Sequence, residues 1–381
     1  MTMRVGVIGG GQLARMMIAP AVELGVDLRV LAEEEGMAAA PATAAVGDYR
    51  DAAVVLAFAE TVDVVTFDHE HVPQPVLRHL VERGVAVRPG PDALQYAQDK
   101  LRMRARLTEL GVPQPAWAAV ATPEELAAFL ADHGGRAVVK TPRGGYDGKG
   151  VRVVSTAAEA EDWFAALAED AGGGALLAEE FVPFVRELAQ QVARRPSGEV
   201  VAYDTVATVQ RDGVCVEATA PAPGADGGVG EEAVRVATVI AEGLGVTGML
   251  AVELFETDRG RVLVNELAMR PHNSGHWSQD GAVTGQFEQH LRAVLDLPLG
   301  STARTQEWAV MANILGGPAA GGGLEDALPG AMGRHPRARI HLYGKEPRPG
   351  RKVGHVTVTG PDLDAATRAA RHAASLFTSR E

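Results

Sequence analysis

The sequence predicts a mixed α/β and α+β protein with more than one domain, and three observations support this. Short apolar runs alternate with helical patterns over the first 95 residues, which is typical of a parallel sheet with helices between its strands. From residue 175 to residue 267 the apolar runs are longer and are separated by turn residues, which is typical of antiparallel strands. A chain of 381 residues is also long enough for two or three hydrophobic cores.

Residues 1–95 are expected to form the first domain. Its predicted strands are RVGVIG, LRVLA, VDVVTF and GVAV, and its predicted helices cover residues 11–25, 51–60 and 73–83. The first strand runs into GGGQLA, Gly9–Ala14, which fits the G-x-G-x-x-A pattern of a dinucleotide-binding turn, and acidic residues follow at Glu33–Glu35. On this pattern alone, an NAD(P)-dependent oxidoreductase is one hypothesis.

The rest of the chain changes in pattern after PGP, which precedes a helix that carries Lys100. Thr122 and Thr156 can cap helices, and Glu125 and Glu159 can complete the capping boxes. The expected strands of this part are PAWAAV, RAVVKT, GVRVV and the hairpin MLAVELFETDRGRVLVNELA, with helices at about 231–244 and 284–295. The last 80 or so residues open with EWAVMANILGG and are expected to add strands at ARIHLY and GHVTVT and a C-terminal helix.

Composition excludes several classes of partner and predicts a cytoplasmic protein. The net charge of −13 and the pI near 5.4 oppose general binding to nucleic acid or to an anionic membrane. The single cysteine, Cys215, cannot form an internal disulfide, the N-terminus lacks a secretory pattern, and no apolar run reaches the ~18 residues of a membrane span. Any polyanionic ligand must therefore meet a local basic cluster.

Lysine and asparagine are scarce, and the few that remain fall within motifs. Of 36 Lys and Arg residues only five are lysines, and there are three asparagines. A compact ammonium differs from a planar guanidinium in hydration and hydrogen-bond geometry, so these lysines are candidate functional residues. The two sets are Lys100, Lys140, Lys149, Lys345 and Lys352, and Asn265, Asn273 and Asn313.

A glycine-rich loop is the first candidate site. In VVKTPRGGYDGKGV, Lys140 ends an apolar strand and four glycines follow within residues 144–150. Glycines let backbone N–H groups approach phosphate oxygens, and the lysine supplies a fixed positive charge. The loop is not a G-x-x-x-x-G-K-[ST] P-loop, and a flexible hairpin tip is the alternative interpretation.

The hairpin of the central region is the second candidate site. Folding it about residues 258–260 brings Glu253 opposite residues 264–266, so that Glu253 and Glu266 converge with Asn265 beside them. Convergent oxygen ligands suit Mg²⁺. A solvated strand face is the alternative, but these carboxylates interrupt apolar runs where an unpaired charge is costly.

Two further segments are expected to bind anions. NELAMRPHNSGHW carries Arg270, two asparagines and two histidines; zinc at the HxxxH spacing of His272 and His276 is a weaker hypothesis because Asn-Ser-Gly breaks a helix. The C-terminal segment RHPRARIHLYGKEPRPGRKVGH holds seven cations against one acid, and a solvated basic loop is its alternative interpretation. The cations are Arg334, Arg337, Arg339, Lys345, Arg348, Arg351 and Lys352.

Together these motifs resemble the ATP-grasp superfamily and, within it, the 5-(carboxyamino)imidazole ribonucleotide synthetase family. The resemblance is carried by GVIGGGQLARM, KTPRGGYDGKG, VELF, NELAMRPHNSGHW and RPGRKVGH, and it covers nearly the whole chain. It implies a Rossmann-like, biotin-carboxylase-like domain over 1–95, an ATP-grasp domain over 96–297 with a lid subdomain at about 112–175, and a small C-terminal domain over 298–381 that completes a substrate phosphate pocket.

The resemblance also implies a reaction. ATP and bicarbonate would form carboxyphosphate, and the carboxyl group would pass to the exocyclic amine of 5-aminoimidazole ribonucleotide, giving ADP, phosphate and the carboxyamino product in de novo purine biosynthesis. ATP and two Mg²⁺ ions are expected, biotin and NAD are not, and by analogy the protein is a homodimer. GGGQLA would then face an anionic substrate instead of a dinucleotide.

Residue roles are implied position by position. The expected catalytic residues are Tyr146, Asp147 and Arg270, and the expected metal ligands are Glu253 and Glu266. The expected ATP-binding residues are Lys100, Lys140, Gly145, Tyr146, Asp147, Gly148, Lys149, Gly150, Val151, Glu179, Glu180, Phe181, Val182, Glu187, Gln210, Asn265 and Glu266. The expected substrate-binding residues are Gln12, Leu13, Glu70, Arg270, His272, Asn273, Ser274, Lys345, Arg351 and Lys352.

The sequence departs from the family pattern at two places, and rival functions remain. FDHEH stands where the family usually has tyrosine, glutamate, phenylalanine, glutamate and asparagine, so His69 and His71 are unusual neighbours of Glu70. Gln210 stands where a histidine often lies near the nucleotide. Besides the oxidoreductase, the rivals are another ATP-grasp ligase, such as formate-dependent glycinamide ribonucleotide transformylase, and a nonenzymatic nucleotide-binding module.

Overall fold

The computed structural model describes residues 2–144, 150–169, 174–211, 213–225, 227–317 and 323–378. Gly145, Tyr146, Asp147, Gly148 and Lys149 lie outside the described residues, so their expected roles stay predictions. In the ranges given, no helix is both long enough and apolar enough to cross a membrane.

The N-terminal part forms a parallel sheet, as predicted, in the order β3-β2-β1-β4. Its strands are β1 (Arg4–Ile8), β2 (Asp27–Ala32), β3 (Thr43–Val46) and β4 (Val64–Phe67), and its helices are α1 (Gln12–Glu23), α2 (Ala52–Ala59) and α3 (Gln74–Glu82). The predicted strand GVAV makes only a single bridge, Val65 to Val87, since Pro89 has no N–H with which to extend the pairing. The β3 strand was missed because TAAV lacks large apolar residues.

A second, antiparallel sheet follows, with strands in the order β5-β8-β6-β7. It comprises β5 (Trp117–Val120), β6 (Ala137–Lys140), β7 (Val151–Val154) and β8 (Leu176–Glu180), and the helices of this region are α4 (Pro91–Gln98), α5 (Lys100–Glu109), α6 (Pro123–Asp132) and α7 (Glu161–Glu169). Thr122 caps α6, and Thr156 and Glu159 form a capping box, as predicted. Because α5 begins at Lys100, this lysine stands at a helix N-terminus next to β6.

The largest sheet continues from the central region into the C-terminal region. Its order is β14-β13-β9-β11-β12-β15-β17-β16, with β10 paired to β9. Its strands are β9 (Phe184–Arg194), β10 (Val200–Ala202), β11 (Val206–Arg211), β12 (Val214–Ala220), β13 (Gly248–Thr257), β14 (Val262–Ala268), β15 (Trp308–Leu315), β16 (Arg339–Leu342) and β17 (Lys352–Gly360). The remaining helices are α8 (Gly228–Gly243), α9 (Ser278–Gly281), α10 (Gln286–Val294), α11 (Leu328–Arg334) and α12 (Leu363–Ser375).

Packing of this sheet fixes the frame around the candidate site. Helix α8 covers one face of β9 and β13 with Val236 and Ile240, which are buried with Leu250 and Val252 in one core. Antiparallel pairing of β12 with β15 joins the region after residue 297 to the central strands. The domain boundaries expected at residues 95 and 297 stay predictions.

Candidate active site

One cavity of about 1380 Å³ lies between the three sheets. Its wall contains most of the site residues expected from the sequence: Gln12, Leu13, Glu70, Lys100, Lys140, Val151, Glu179, Glu180, Phe181, Val182, Glu187, Gln210, Glu253, Asn265, Glu266, Arg270, His272, Asn273 and Lys352. Gly150, Ser274, Lys345 and Arg351 are described but are not part of the wall. Residues from widely separated segments of the chain therefore share one cavity.

Two lysines face carboxylates on one side of this cavity. Lys100 Nζ lies 3.3 Å from Glu266 Oε1, and Lys140 Nζ lies 2.7 Å from Glu179 Oε2. Lys140 also donates to Asn265 Oδ1 at 3.1 Å. These side chains come from the start of α5, the end of β6, β8 and β14, so the fold gathers cations and acceptors from four elements into one cluster.

Glu253 and Glu266 are direct cross-strand partners, which confirms the predicted hairpin register. Burial, together with the nearby charges of Glu266 and Glu187, raises the pKa of Glu253 to about 7. His272 Nε2 lies 3.4 Å from Glu253 Oε1. Carboxylates crowded together in this way suit a divalent cation, which would relieve their mutual repulsion.

The residues around Glu253 and Glu266 can be compared with the ligands that Mg²⁺ and zinc require. Within the described ranges, no group of three or more His, Cys, Asp or Glu side chains has metal-binding geometry. Mg²⁺ is commonly held by one or two protein carboxylates, with substrate phosphates and water as the other ligands, so two glutamates beside two lysines fit a magnesium–nucleotide site. The HxxxH pair does not converge as zinc ligands would: His272 Nδ1 contacts Ser274 Oγ at 2.8 Å, and His276 Nδ1 contacts Gln286 Nε2 at 2.8 Å.

A partly buried ion pair forms another part of the cavity wall. Arg270 Nε donates to Glu70 Oε2 at 2.7 Å. Gln98 holds the backbone of this segment by donating to the carbonyls of Glu70 and Val72, both at 2.7 Å. Since Gln98 is two residues before Lys100, it ties the Glu70 segment to the start of α5.

The glycine-rich turn binds the protein's own carboxylates. The Ala14 N–H donates to Asp68 Oδ1 at 2.8 Å, and the Gly10 N–H donates to Glu33 Oε2 at 3.0 Å. A Cβ on Gly11 would lie 1.9 Å from Asp68 Oδ2, which explains the glycine there. A dinucleotide pyrophosphate would have to displace these carboxylates, whereas Gln12 and Leu13 remain in the cavity wall.

The unusual histidines, His69 and His71, follow β4, and His69 lies against this turn. His69 Nε2 lies 3.2 Å from Glu33 Oε1, and the ring of His71 stacks on that of His69 with centroids 5.1 Å apart. Burial raises the pKa of Glu33, but hydrogen bonds from His69 and the Gly10 amide outweigh it and bring the pKa to about 2. His69 therefore ties the segment after β4 to the segment after β2.

The structure divides the basic C-terminal cluster, which the sequence predicted as one site. Lys352 lines the cavity, and Lys345 Nζ donates to Gln12 Oε1 at its wall. Arg339 Nε instead donates to Asp280 at 3.1 Å, and Arg351 donates to a carbonyl of its own loop at 3.2 Å. Antiparallel pairing of β16 with β17 separates these cations, an effect that a charge count along the sequence cannot show.

Sequence reasoning missed two polar residues at this site, Arg104 and Asp68. Arg104 follows Lys100 by one helical turn and is fully buried beside Glu179. The i to i+4 spacing was a usable signal for Arg104. Asp68 had no comparable local signal, because its partner Ala14 is 54 residues away in the chain.

Comparison with known proteins decides between the alternatives. A ribonucleotide synthetase preATP-grasp domain model matches residues 1–98, an ATP-grasp domain model matches 105–287, and a phosphoribosylaminoimidazole carboxylase C-terminal domain model matches 309–369. N5-carboxyaminoimidazole ribonucleotide synthase of Mycobacterium tuberculosis is 50% identical over 364 residues, covering 94% of this chain and 84% of that protein. The chain belongs to this synthase family. The corresponding protein of Corynebacterium ammoniagenes is 47% identical over 381 residues, covering 98% and 91%.

Solved structures of N5-carboxyaminoimidazole ribonucleotide synthases share the fold. An ADP complex has a TM-score of 0.88 and 33% identity and covers 97% of this chain and 96% of its own. The Aspergillus clavatus synthase in complex with ADP and 5-aminoimidazole ribonucleotide has a TM-score of 0.86 and 31% identity, and covers 98% of both chains. The ATP-grasp fold and the ligase class are confirmed, and the synthase family is selected over the transformylase and oxidoreductase alternatives.

Proposed function

We propose that the chain carboxylates the exocyclic amine of 5-aminoimidazole ribonucleotide with ATP and bicarbonate, giving the carboxyamino product, ADP and phosphate in purine biosynthesis. The observation that carries this proposal is that one cavity contains both the Lys100 and Lys140 cluster and the Glu70–Arg270 pair. A nucleotide and a second substrate can therefore meet in one cavity. The relative bound to ADP and 5-aminoimidazole ribonucleotide supports the same pair of ligands.

ATP would bind on the side of the two lysines. Lys100 and Lys140 would neutralise phosphate charge, the segment Glu179–Val182 would present its backbone to adenine, and Glu187 would bind ribose hydroxyls. Burial raises the pKa of Glu187, a shift that a hydrogen bond from a hydroxyl to its carboxylate would oppose. Phe184 and Phe255 stack on each other in the same wall, with ring centroids 4.7 Å apart.

Glu253 and Glu266 would hold magnesium together with the ATP phosphates, and Asn265 would add a neutral oxygen. When bound there, Mg²⁺ would draw charge from the phosphoryl oxygens. The protein's own contribution is to keep Glu266 beside Lys100 and Glu253 beside His272, which fixes both carboxylates before the nucleotide arrives. Positioning and electrostatic stabilisation provide most of the rate in phosphoryl transfer.

The ribonucleotide would lie against Glu70 and Arg270, with its phosphate toward Lys352, Gln12 and Leu13. A bicarbonate oxygen attacks the γ-phosphate, the P–O bond to ADP breaks, and carboxyphosphate forms. The amine then bonds to the carboxyl carbon as phosphate leaves, and a base takes the amine proton. Asp147 and Tyr146 stay the predicted residues for this last step. Carboxyphosphate is readily lost to water, so the reaction requires the two steps to follow each other within one cavity.

The test is to measure ADP release while each substrate is omitted in turn. We expect full turnover only with ATP, Mg²⁺, bicarbonate and 5-aminoimidazole ribonucleotide together. Full turnover with glycinamide ribonucleotide and formate would contradict the proposal. The expected cytoplasmic location and homodimeric state stay predictions, to be checked by fractionation and by the mass of the particle in solution.

A further inference from the structure

Arg104 is a fully buried charge directly behind the proposed nucleotide site. It lies on α5, its side chain is 0% exposed, and it does not line the cavity. Its Nε donates to Glu179 Oε1 at 2.5 Å. An arginine with no access to solvent is costly unless its partners satisfy it, so the contacts around it define what it does.

The guanidinium is fixed by backbone as well as by the carboxylate. One terminal nitrogen donates to the carbonyl of Val264 at 2.7 Å, and the other donates to the carbonyl of Asn265 at 2.8 Å. The first of these nitrogens also reaches Gln114 Oε1 at 3.3 Å. Helix α5, β8 and β14 are thereby held around one cation, which cannot turn toward the cavity.

Glu179 is shared between Arg104 and Lys140. Its two oxygens face the two cations at 2.5 and 2.7 Å, and all three side chains are less than a tenth exposed. Burial alone would raise the pKa of Glu179, but the charges of Arg104 and then of Lys140 outweigh burial and lower it. Two positive charges and one negative charge therefore leave one net positive charge at this point of the cavity wall.

Without Arg104 the net charge around Lys140 would be lower. Glu179 would then have Lys140 as its main cationic partner, and the buried pair would be neutral overall. A neutral pair attracts phosphate much less than a free ammonium does, and in a buried site the difference is weakly screened by water.

We propose that Arg104 is a positioning residue that neutralises Glu179 and so leaves the charge of Lys140 available to the phosphates of ATP. The identity of the ligand rests on the proposed function above. Arg104 itself touches no substrate, and its effect passes through Glu179 and Lys140. The neutralising role predicts a specific dependence: Arg104 matters for nucleotide binding only while Glu179 carries a charge.

The experiment compares Arg104→Met, Glu179→Gln and the double variant, with ADP binding measured by calorimetry and KM measured for both substrates. We expect Arg104→Met to weaken ADP binding and raise KM for ATP by about tenfold to a hundredfold, with KM for the ribonucleotide changing less than about twofold. In the double variant ADP binding should return close to that of Glu179→Gln.

A matched control separates this role from general stability. Arg371 pairs with Glu217 through two contacts of 2.5 and 3.0 Å, is largely exposed and is not part of the cavity wall, so Arg371→Met removes an arginine–glutamate pair without changing either KM. If Arg104→Met does not fold, Glu179→Gln and the double variant still decide: equal ADP binding supports the proposal, and a further loss in the double variant contradicts it.

Two other outcomes are distinguishable. A folded Arg104→Met protein that binds ADP as the wild type does would contradict the inference alone. A wild-type protein that neither binds ADP nor releases it from ATP would contradict the proposed function and the inference with it.

Discussion

His290 should make the protein sensitive to acid, and the structure gives the size of the effect. This residue of α10 is fully buried between two sheets: its Nε2 lies 2.8 Å from the Thr66 hydroxyl of β4, and its Nδ1 accepts the N–H of Met249 in β13 at 3.0 Å. Nδ1 must be unprotonated to accept that bond. Burial lowers the pKa of His290 to about 3, so the folded protein holds this ring neutral.

The sign of the pH dependence follows from this lowered pKa. Below the ordinary histidine pKa of ~6.5, the unfolded chain takes up a proton that the folded chain refuses, so stability is complete above that pH and falls as the pH falls toward about 3. One such group contributes about 1.4 kcal/mol per pH unit, or about 2 kcal/mol between pH 6.5 and pH 5.

The variant His290→Asn tests this directly. Asparagine can keep an acceptor for the Met249 N–H but has no proton to gain, so the variant should be less stable than the wild type at pH 7.5 by about 1–3 kcal/mol. At pH 5 the difference should shrink by about 2 kcal/mol, measured by urea unfolding at both pH values. A stability difference between wild type and His290→Asn that is the same at both pH values would refute the reasoning.

Three further predictions follow from the site. Glu253→Gln or Glu266→Gln should lower turnover by orders of magnitude, because each variant loses the charge of a metal ligand and keeps its shape. The circular dichroism spectrum and the melting temperature should stay near those of the wild type. Near-normal turnover at limiting Mg²⁺ would remove that residue from the metal site. Lys352→Ala should raise KM for the ribonucleotide about tenfold to a hundredfold with little change for ATP, because Lys352 lines the cavity, and a rise confined to ATP would assign this residue to the nucleotide. NAD and NADP should show no binding by calorimetry, since the glycine-rich turn already binds Asp68 and Glu33; saturable micromolar binding would overturn this.

Features set by nearby residues were predictable from the sequence. Thr122 and Thr156 cap helices because their partners lie within one turn, and the hairpin register of Glu253 and Glu266 follows from a short turn between them. The roles of most cavity residues were assigned through the family resemblance, and the structure brings those residues to one wall.

Features set by distant residues were not predictable in this way. Thr66 and His290 are 224 residues apart, and Arg104 is 75 residues from Glu179, so neither contact leaves a periodic pattern in the chain. The glycine-rich turn shows the same limit. Its sequence fits a dinucleotide site, but whether its amides are open depends on Asp68, which arrives from the end of another strand.

The central claim is that bicarbonate is activated by phosphoryl transfer from ATP, and oxygen labelling tests it most directly. With ¹⁸O-labelled bicarbonate, one labelled oxygen should pass to the phosphate product, because the bicarbonate oxygen that attacks the γ-phosphate stays on phosphorus when the carboxyl group leaves. Mass spectrometry or ³¹P NMR of phosphate formed in the presence of 5-aminoimidazole ribonucleotide detects this label. The account predicts one ¹⁸O in each phosphate formed and none in ADP; unlabelled phosphate accompanying full formation of the carboxylated product would contradict it.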